Sequence, residues 1–182
     1  MRIIAGTARG CLLASPKNKA RPTLDMVKES LFNIISPSLI NASFLDIFAG
    51  SGAIGLEALS RGAKNAVFVD IDVTTIRRNV EKTKMFEKSE ILKMDYTKAA
   101  RNLSINKRQF DFIFADPPYD FNFTEMLTSS IIKNSLLKDT GIFILECIKN
   151  KPIFKPTNEL NLIRIKEYSN CILYFMELAK PL

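Results

Sequence analysis

The chain has 182 residues, 47% hydrophobic and 25% charged, the composition of an ordinary globular protein with one domain's worth of sequence. It contains no histidine, which excludes Ser-His-Asp and Cys-His catalysis and every metal site that needs imidazole. Cys11, Cys147 and Cys171 are odd in number and far apart, which argues against a disulfide framework or a zinc cluster, while the net charge of +7 attracts polyanions. No apolar run nears the roughly 20 residues of a membrane span, and the start does not read as a signal peptide. A cytoplasmic monomer with reduced, partly buried thiols is expected.

Residues 1–22 read as a basic N-terminal arm, extended or hairpin-like around the turn-prone stretch Gly6–Gly10. Arg2, Arg9, Lys17, Lys19 and Arg21 all precede the first acidic residue, Asp25. Thr23 suits a helix N-cap, and Leu24, Val27, Leu31, Ile34 and Ile35 follow at helical spacing; the helix is expected to stop before Pro37. Residues 44–48 read as a strand, then a glycine turn, then a helix over 54–59. A second strand over 66–69 ends at Asp70. Val73, Ile76 and Val80 mark a helix with Arg77, Arg78 and Lys82 outside. Ile91-Leu92 is a short strand ending near Asp95, and 110–114 a fourth ending at Asp116. A helix over 123–137 and a strand over 142–145, ending at Glu146, complete the alternation. Runs 162–165 and 172–176, split by Tyr168, Ser169 and Asn170, read as a hairpin. Continuous apolar strands alternating with helices imply an α/β fold: a parallel sheet covered on both faces, finished by an antiparallel pair.

In such sheets, ligands sit beyond the carboxyl ends of the strands. There this sequence places Asp46, the turn Gly50-Ser51-Gly52, Asp70, Asp95 and Asp116. Glycines let a backbone approach a ligand closely, and an acidic residue about 20 positions later can accept from ribose hydroxyls; Asp70 is so placed, and Asp95 suits an adenine amino group. Phe48 is mainly a core residue that could also touch the ligand, and Phe110, Phe112 and Phe114 are core. Gly50–Gly55 also satisfies the dinucleotide fingerprint G-x-G-x-x-G, so a nicotinamide oxidoreductase is the competing enzyme class. Asp46, just before the turn, is poor company for a pyrophosphate, and an oxidoreductase has no use for Asp116-Pro117-Pro118-Tyr119. That last motif suits an exocyclic nucleobase amine, whose lone pair is delocalised into the ring. The Asp116 carboxylate and Pro117 carbonyl offer two acceptors that hold the NH₂ and favour a pyramidal nitrogen. Consecutive prolines stiffen the loop, and Tyr119 offers a flat face for a splayed base.

Asp46-Ile-Phe-Ala-Gly-Ser-Gly52 resembles the donor loop of class I methyltransferases, and Asp116-Pro-Pro-Tyr119 their amino-methyltransferase signature. Met1-Arg-Ile-Ile-Ala-Gly6, Arg21-Pro-Thr23, Glu29-Ser-Leu-Phe-Asn33, Gly55-Leu-Glu-Ala-Leu-Ser-Arg-Gly62 and Ala66-Val-Phe-Val-Asp70 narrow the likeness. Together they resemble the RsmD-type bacterial 16S ribosomal RNA guanine-N2 methyltransferases, over essentially the whole chain. The resemblance implies one Rossmann-like methyltransferase domain over 1–182, with a seven-stranded, mostly parallel sheet carrying an antiparallel C-terminal hairpin. It implies transfer of a methyl group from S-adenosylmethionine to a guanine N2 in the RNA of a complete or assembling small subunit. Asp46, Phe48, Gly50, Ser51, Gly52, Asp70 and Asp95 would bind the donor. Asp116, Pro117 and Tyr119 would be catalytic. Arg9, Lys17, Lys19, Arg21 and Pro118 would contact the RNA, Arg21 also bordering the donor pocket. A DNA amino-methyltransferase and a catalytically silent RNA-binding or assembly protein are the alternatives. A chain of 182 residues has no room for the usual target-recognition domain of the first, and an intact Asp116–Tyr119 motif argues against the second.

Overall fold

The computed structural model describes residues 1–15, 23–117, 121–149 and 158–179. Its elements are α1 (Thr23–Leu39), β1 (Ser43–Ile47), α2 (Ala53–Ser60), β2 (Asn65–Asp70), α3 (Thr74–Thr83), a 3₁₀ turn (Phe86–Lys88) and β3 (Ser89–Lys93). There follow α4 (Tyr96–Ile105), β4 (Phe110–Ala115), α5 (Phe121–Lys133), β5 (Leu137–Ile148), β6 (Leu160–Glu167) and β7 (Cys171–Leu178). The seven strands have the order β3-β2-β1-β4-β5-β7-β6, the expected α/β class. Contacts divide the chain into two compact units, residues 1–94 and 95–182. No helix among the described residues is long and apolar enough to cross a membrane.

In the first unit, β1, β2 and β3 pair in parallel, Ile47 beside Val69 and Asp70 beside Lys93. This register brings the residues after β1 alongside the end of β2. Phe32, Phe44 and Phe68 are fully buried, each contributing about 2–3 kcal/mol of burial. Helix α3 is amphipathic as expected: Ile76, Asn79, Val80 and Thr83 are buried, and Arg77, Arg78 and Lys82 exposed. Helix α1 differs from expectation, since it runs through Pro37 to Leu39. Leu39 is buried, so the turn beyond the proline packs into the core despite the missing N–H. The chain reverses later, at Asn41 in the left-handed region, whose N–H donates to the Gly62 carbonyl.

In the second unit, β4 and β5 are parallel, and β7 then β6 continue antiparallel, the expected hairpin. Phe110, Phe112 and Phe114 are buried core, as expected. Strand β5 starts at Leu137, five residues earlier than its apolar run suggests, while α5 ends at Lys133. Ser135, at positive φ, breaks the helix before Leu136 and Leu137 are reached. Helix α4 is absent from the sequence-based reading. Tyr96, Ala99, Ala100 and Leu103 form its buried stripe, and Asp95 is its N-cap.

Candidate functional site

The glycine turn after β1 is held from three sides. Phe48 leaves the strand at φ 62°, uncommon for a non-glycine residue, with its N–H donating to the Val69 carbonyl. The Asp70 carboxylate accepts from the Gly50 N–H (2.8 Å) and from the Asp72 N–H (3.0 Å). The buried Asp46 carboxylate accepts from the Gly55 N–H (2.9 Å), joining β1 to the first turn of α2. The three glycines serve different ends. Gly52 caps α2 in the left-handed region. A Cβ on Gly55 would lie 2.4 Å from the Phe68 ring, so this glycine permits helix–sheet packing. Gly50 has φ 55°, and a Cβ there would meet nothing closer than 3.9 Å. The turn is thus fixed in shape while leaving free space on its Gly50 side.

The N-terminal arm docks on the same unit. It is a short hairpin with an antiparallel bridge between Arg2 and Leu12. Glu57 in α2, fully buried, accepts from the N–H groups of Ile4 (2.8 Å) and Ala5 (3.0 Å). Its carboxylate also pairs with Arg61 (2.7 Å) and with the buried Lys28 ammonium (3.5 Å). Burial pulls the Lys28 pKa down, and the charges of Glu57 and Asp25 oppose that. Asn79 in α3 accepts from the Ala14 N–H and donates to the carbonyls of both Ala14 and Ser51. One fully buried amide therefore ties the arm to the glycine turn.

In the second unit, Asp116 follows β4 and is half-buried, with Pro117 buried behind it. The register pairs Ala115 with Leu145, so Asp116 and Glu146 occupy equivalent positions on neighbouring parallel strands. Burial, then the Asp116 charge, push the Glu146 carboxyl up to about 7, while a hydrogen bond with the Cys171 side chain pulls it down. Burial and the nearby carboxylates push both Cys147 and Cys171 up to about 12, so these thiols stay protonated. Glu146 therefore keeps its proton towards neutral pH.

A family model described as "Conserved hypothetical protein 95" matches residues 1–177. The Ribosomal RNA small subunit methyltransferase D of Haemophilus influenzae is 38% identical, over 87% of this chain and 84% of its own length. The chain belongs to this RsmD-type methyltransferase family. The Escherichia coli protein of the same name is 34% identical, over 80% of this chain and 74% of its own. A hypothetical protein of Thermus thermophilus superposes with a TM-score of 0.82 at 28% identity, covering 98% of this chain and 99% of that one. The ribosomal protein L11 methylase of Lactobacillus delbrueckii, at 15% identity, shares the fold with a TM-score of 0.63 over 89% and 81% of the two chains.

For a member of the RsmD-type family, the site residues read from the sequence are placed as follows. Asp46, Phe48, Gly50, Ser51, Gly52 and Asp70 gather around one turn in the first unit. Asp46 and Ser51 are buried and make bonds within the protein, whereas Phe48 and Asp70 remain partly exposed. Asp95 caps α4: its Oδ1 accepts from the Thr97 N–H (2.8 Å) and hydroxyl, and these bonds hold its carboxyl below the usual carboxylate range. Arg9 stands exposed on the arm's turn. Lys17, Lys19, Arg21, Pro118 and Tyr119 lie outside the described residues. Sequence reasoning gave no role to Glu57, Asn79 or Glu146, although it placed Glu146 at a strand end. Glu57 is the lone charge in the otherwise apolar run from Ile54 to Leu59, and Glu146 ends an apolar strand just as Asp70 does. Those two signals were present; nothing in the sequence marks Asn79.

Proposed function

We propose that this protein transfers a methyl group from S-adenosylmethionine to the exocyclic N2 of a guanine in 16S ribosomal RNA. Its substrate would be the small subunit or an assembly intermediate, with the chain acting as a monomer. The observation that carries the reading is the Asp70-locked glycine turn with open space at Gly50, in a chain of this family. The donor set fits the methyl donor. Asp70 keeps lone pairs beyond its two backbone bonds for ribose hydroxyls, the Gly50 side admits a close approach, and Asp95 keeps acceptor capacity for an adenine amino group. When bound, S-adenosylmethionine supplies a methyl group already activated by its sulfonium. The protein's task is alignment and proton removal. The Asp116 carboxylate and the Pro117 carbonyl accept the two N–H bonds of the guanine amine, exposing its lone pair. Asp116 then takes the proton the nitrogen sheds. Tyr119 stacks on the extruded base.

The test is incubation of the protein with labelled S-adenosylmethionine and undermethylated small subunits, followed by nucleoside analysis by mass. N2-methylguanosine is the expected product. A different methylated nucleoside, or label entering DNA in preference to the subunits, overturns the reading. Asp116→Ala should lower single-turnover methylation about 100-fold with donor affinity retained. Full activity in that variant refutes the assigned mechanism.

A further inference from the structure

A cavity of about 760 Å³ opens in the first unit, lined by neither the glycine turn nor its carboxylates. One wall is the turn of the arm, with Thr7, Ala8, Arg9 and Cys11; the other runs from Lys82 to Lys88. Both walls are held by backbone hydrogen bonds. The arm's turn is seated on the end of α2, where the Thr7 N–H donates to the Ser60 carbonyl (2.8 Å) and the Ala8 N–H to its hydroxyl (3.0 Å). Gly6 is irreplaceable in that seat, because at its φ of 84° a Cβ would lie 1.8 Å from the Ser60 carbonyl oxygen. The opposite wall is built by the end of α3. Lys84 adopts the left-handed conformation, its N–H donating to the Glu81 carbonyl and that of Met85 to the Val80 carbonyl. Met85 is buried and anchors this reversal, while the next residue, Phe86, is turned out and is 62% exposed.

The lining is chemically lopsided. Arg9, Lys82, Lys84 and Lys88 face one carboxylate, Glu87. Arg78, four residues before Lys82, prolongs the basic strip along the exposed face of α3. An exposed aromatic ring among cations is the pairing that holds unpaired nucleotides: cations take the phosphates, and the ring takes the face of a base. A continuous A-form duplex has no free base face to offer Phe86, so the chemistry favours a loop or single-stranded stretch. We infer that the groove between the arm's turn and the Lys82–Lys88 segment binds an unpaired stretch of the substrate RNA, with a base stacked on Phe86. This inference rests on the proposed RNA methyltransferase reading and adds to it a second, non-reacting contact region that positions the RNA.

The experiment measures small-subunit RNA affinity across a salt series, together with the KM for subunits and donor affinity. The proteins are wild type, K82A/K84A/K88A, Phe86→Ala and Phe86→Tyr. All substituted side chains are exposed, and thermal melting checks that each variant folds; the single change Lys84→Glu serves if the triple variant does not. The triple variant should bind RNA at least tenfold more weakly, and its log–log salt slope should flatten by about 2–3. Phe86→Ala should raise the KM roughly tenfold with the salt slope unchanged, and Phe86→Tyr should restore it, because the ring face survives. Donor affinity should not move in any variant. Folded variants that keep wild-type affinity, slope and KM, while wild type methylates the subunits, overturn the groove alone. A wild-type protein that neither binds nor methylates the RNA overturns the functional reading beneath it.

Discussion

Asp46, Glu57 and Asp70 in the first unit and Glu146 in the second are treated in opposite ways. In the first, Asp46, Glu57 and Asp70 are each met by peptide N–H groups: Gly55 for Asp46, Ile4 and Ala5 for Glu57, Gly50 and Asp72 for Asp70. Fixed peptide dipoles stabilise the charge, and the charge in return locks the loop that carries them. In the second, Glu146 is drawn out of water beside another carboxylate, Asp116, and among thiols that stay protonated. A carboxyl treated that way keeps its proton towards neutral pH. The same functional group is thus a structural clamp in one place and a titrating centre in the other. The difference lies in whether donors or like charges surround it.

Glu57 offers the hardest test of the clamp. Glu57→Ala takes from the buried Lys28 ammonium its nearer carboxylate, leaving Asp25 and the Arg2 carbonyl, and frees two arm N–H groups, so unfolding free energy should fall by about 3–5 kcal/mol. Denaturant titration measures this, and a loss under about 1 kcal/mol would show that the clamp is incidental. Asp70→Ala should do less to the fold and more to the ligand. S-adenosylmethionine affinity by calorimetry should weaken by about 1.5–3 kcal/mol, the scale of a lost charge-assisted hydrogen bond, and NAD should bind neither protein. Tight NAD binding without S-adenosylmethionine binding would restore the oxidoreductase alternative.

The smallest effect sharpens the other side of the comparison. Glu146 has a folded-state pKa raised from 4.5 to about 7, so its contribution to stability is complete below pH 4.5. That contribution drains away as pH rises through about 7, because the unfolded chain releases the proton first. Glu146→Gln cannot titrate. It should match wild type near pH 4.5 and exceed it in stability by about 1–3 kcal/mol at about pH 8. Equal stability of the two proteins at both pH values, measured by denaturant unfolding, would show that Glu146 does not hold a proton into the neutral range.

Much of this architecture was legible in the sequence because its strands are continuous apolar runs and its helices carry clear stripes. Strand ends at Asp70 and Asp116 could be read because an acidic residue directly after a run of buried apolar positions marks the point where a strand reaches water. Helix α4 was missed for a related reason: Asp95 was assigned to a ligand, and its second use, capping the helix whose stripe follows at once, was overlooked. The end of α1 was misplaced because Pro37 is a strong local signal, whereas burial of Leu39 is a tertiary one.

By itself the sequence determined the fold class, the glycine turn, the strand-end carboxylates and the basic character of the arm, all properties of residue type and near-neighbour spacing. Only the tertiary structure decided which partners those groups meet. Asn79 reaches Ala14 across 65 residues, and Glu57 reaches the Ile4 N–H across 53. Glu146 owes its high pKa first to burial and then to Asp116 on the neighbouring strand. Hydrogen bonds and Coulomb forces act over a few ångströms in space, and separation along the chain does not disclose which distant residues will come that close.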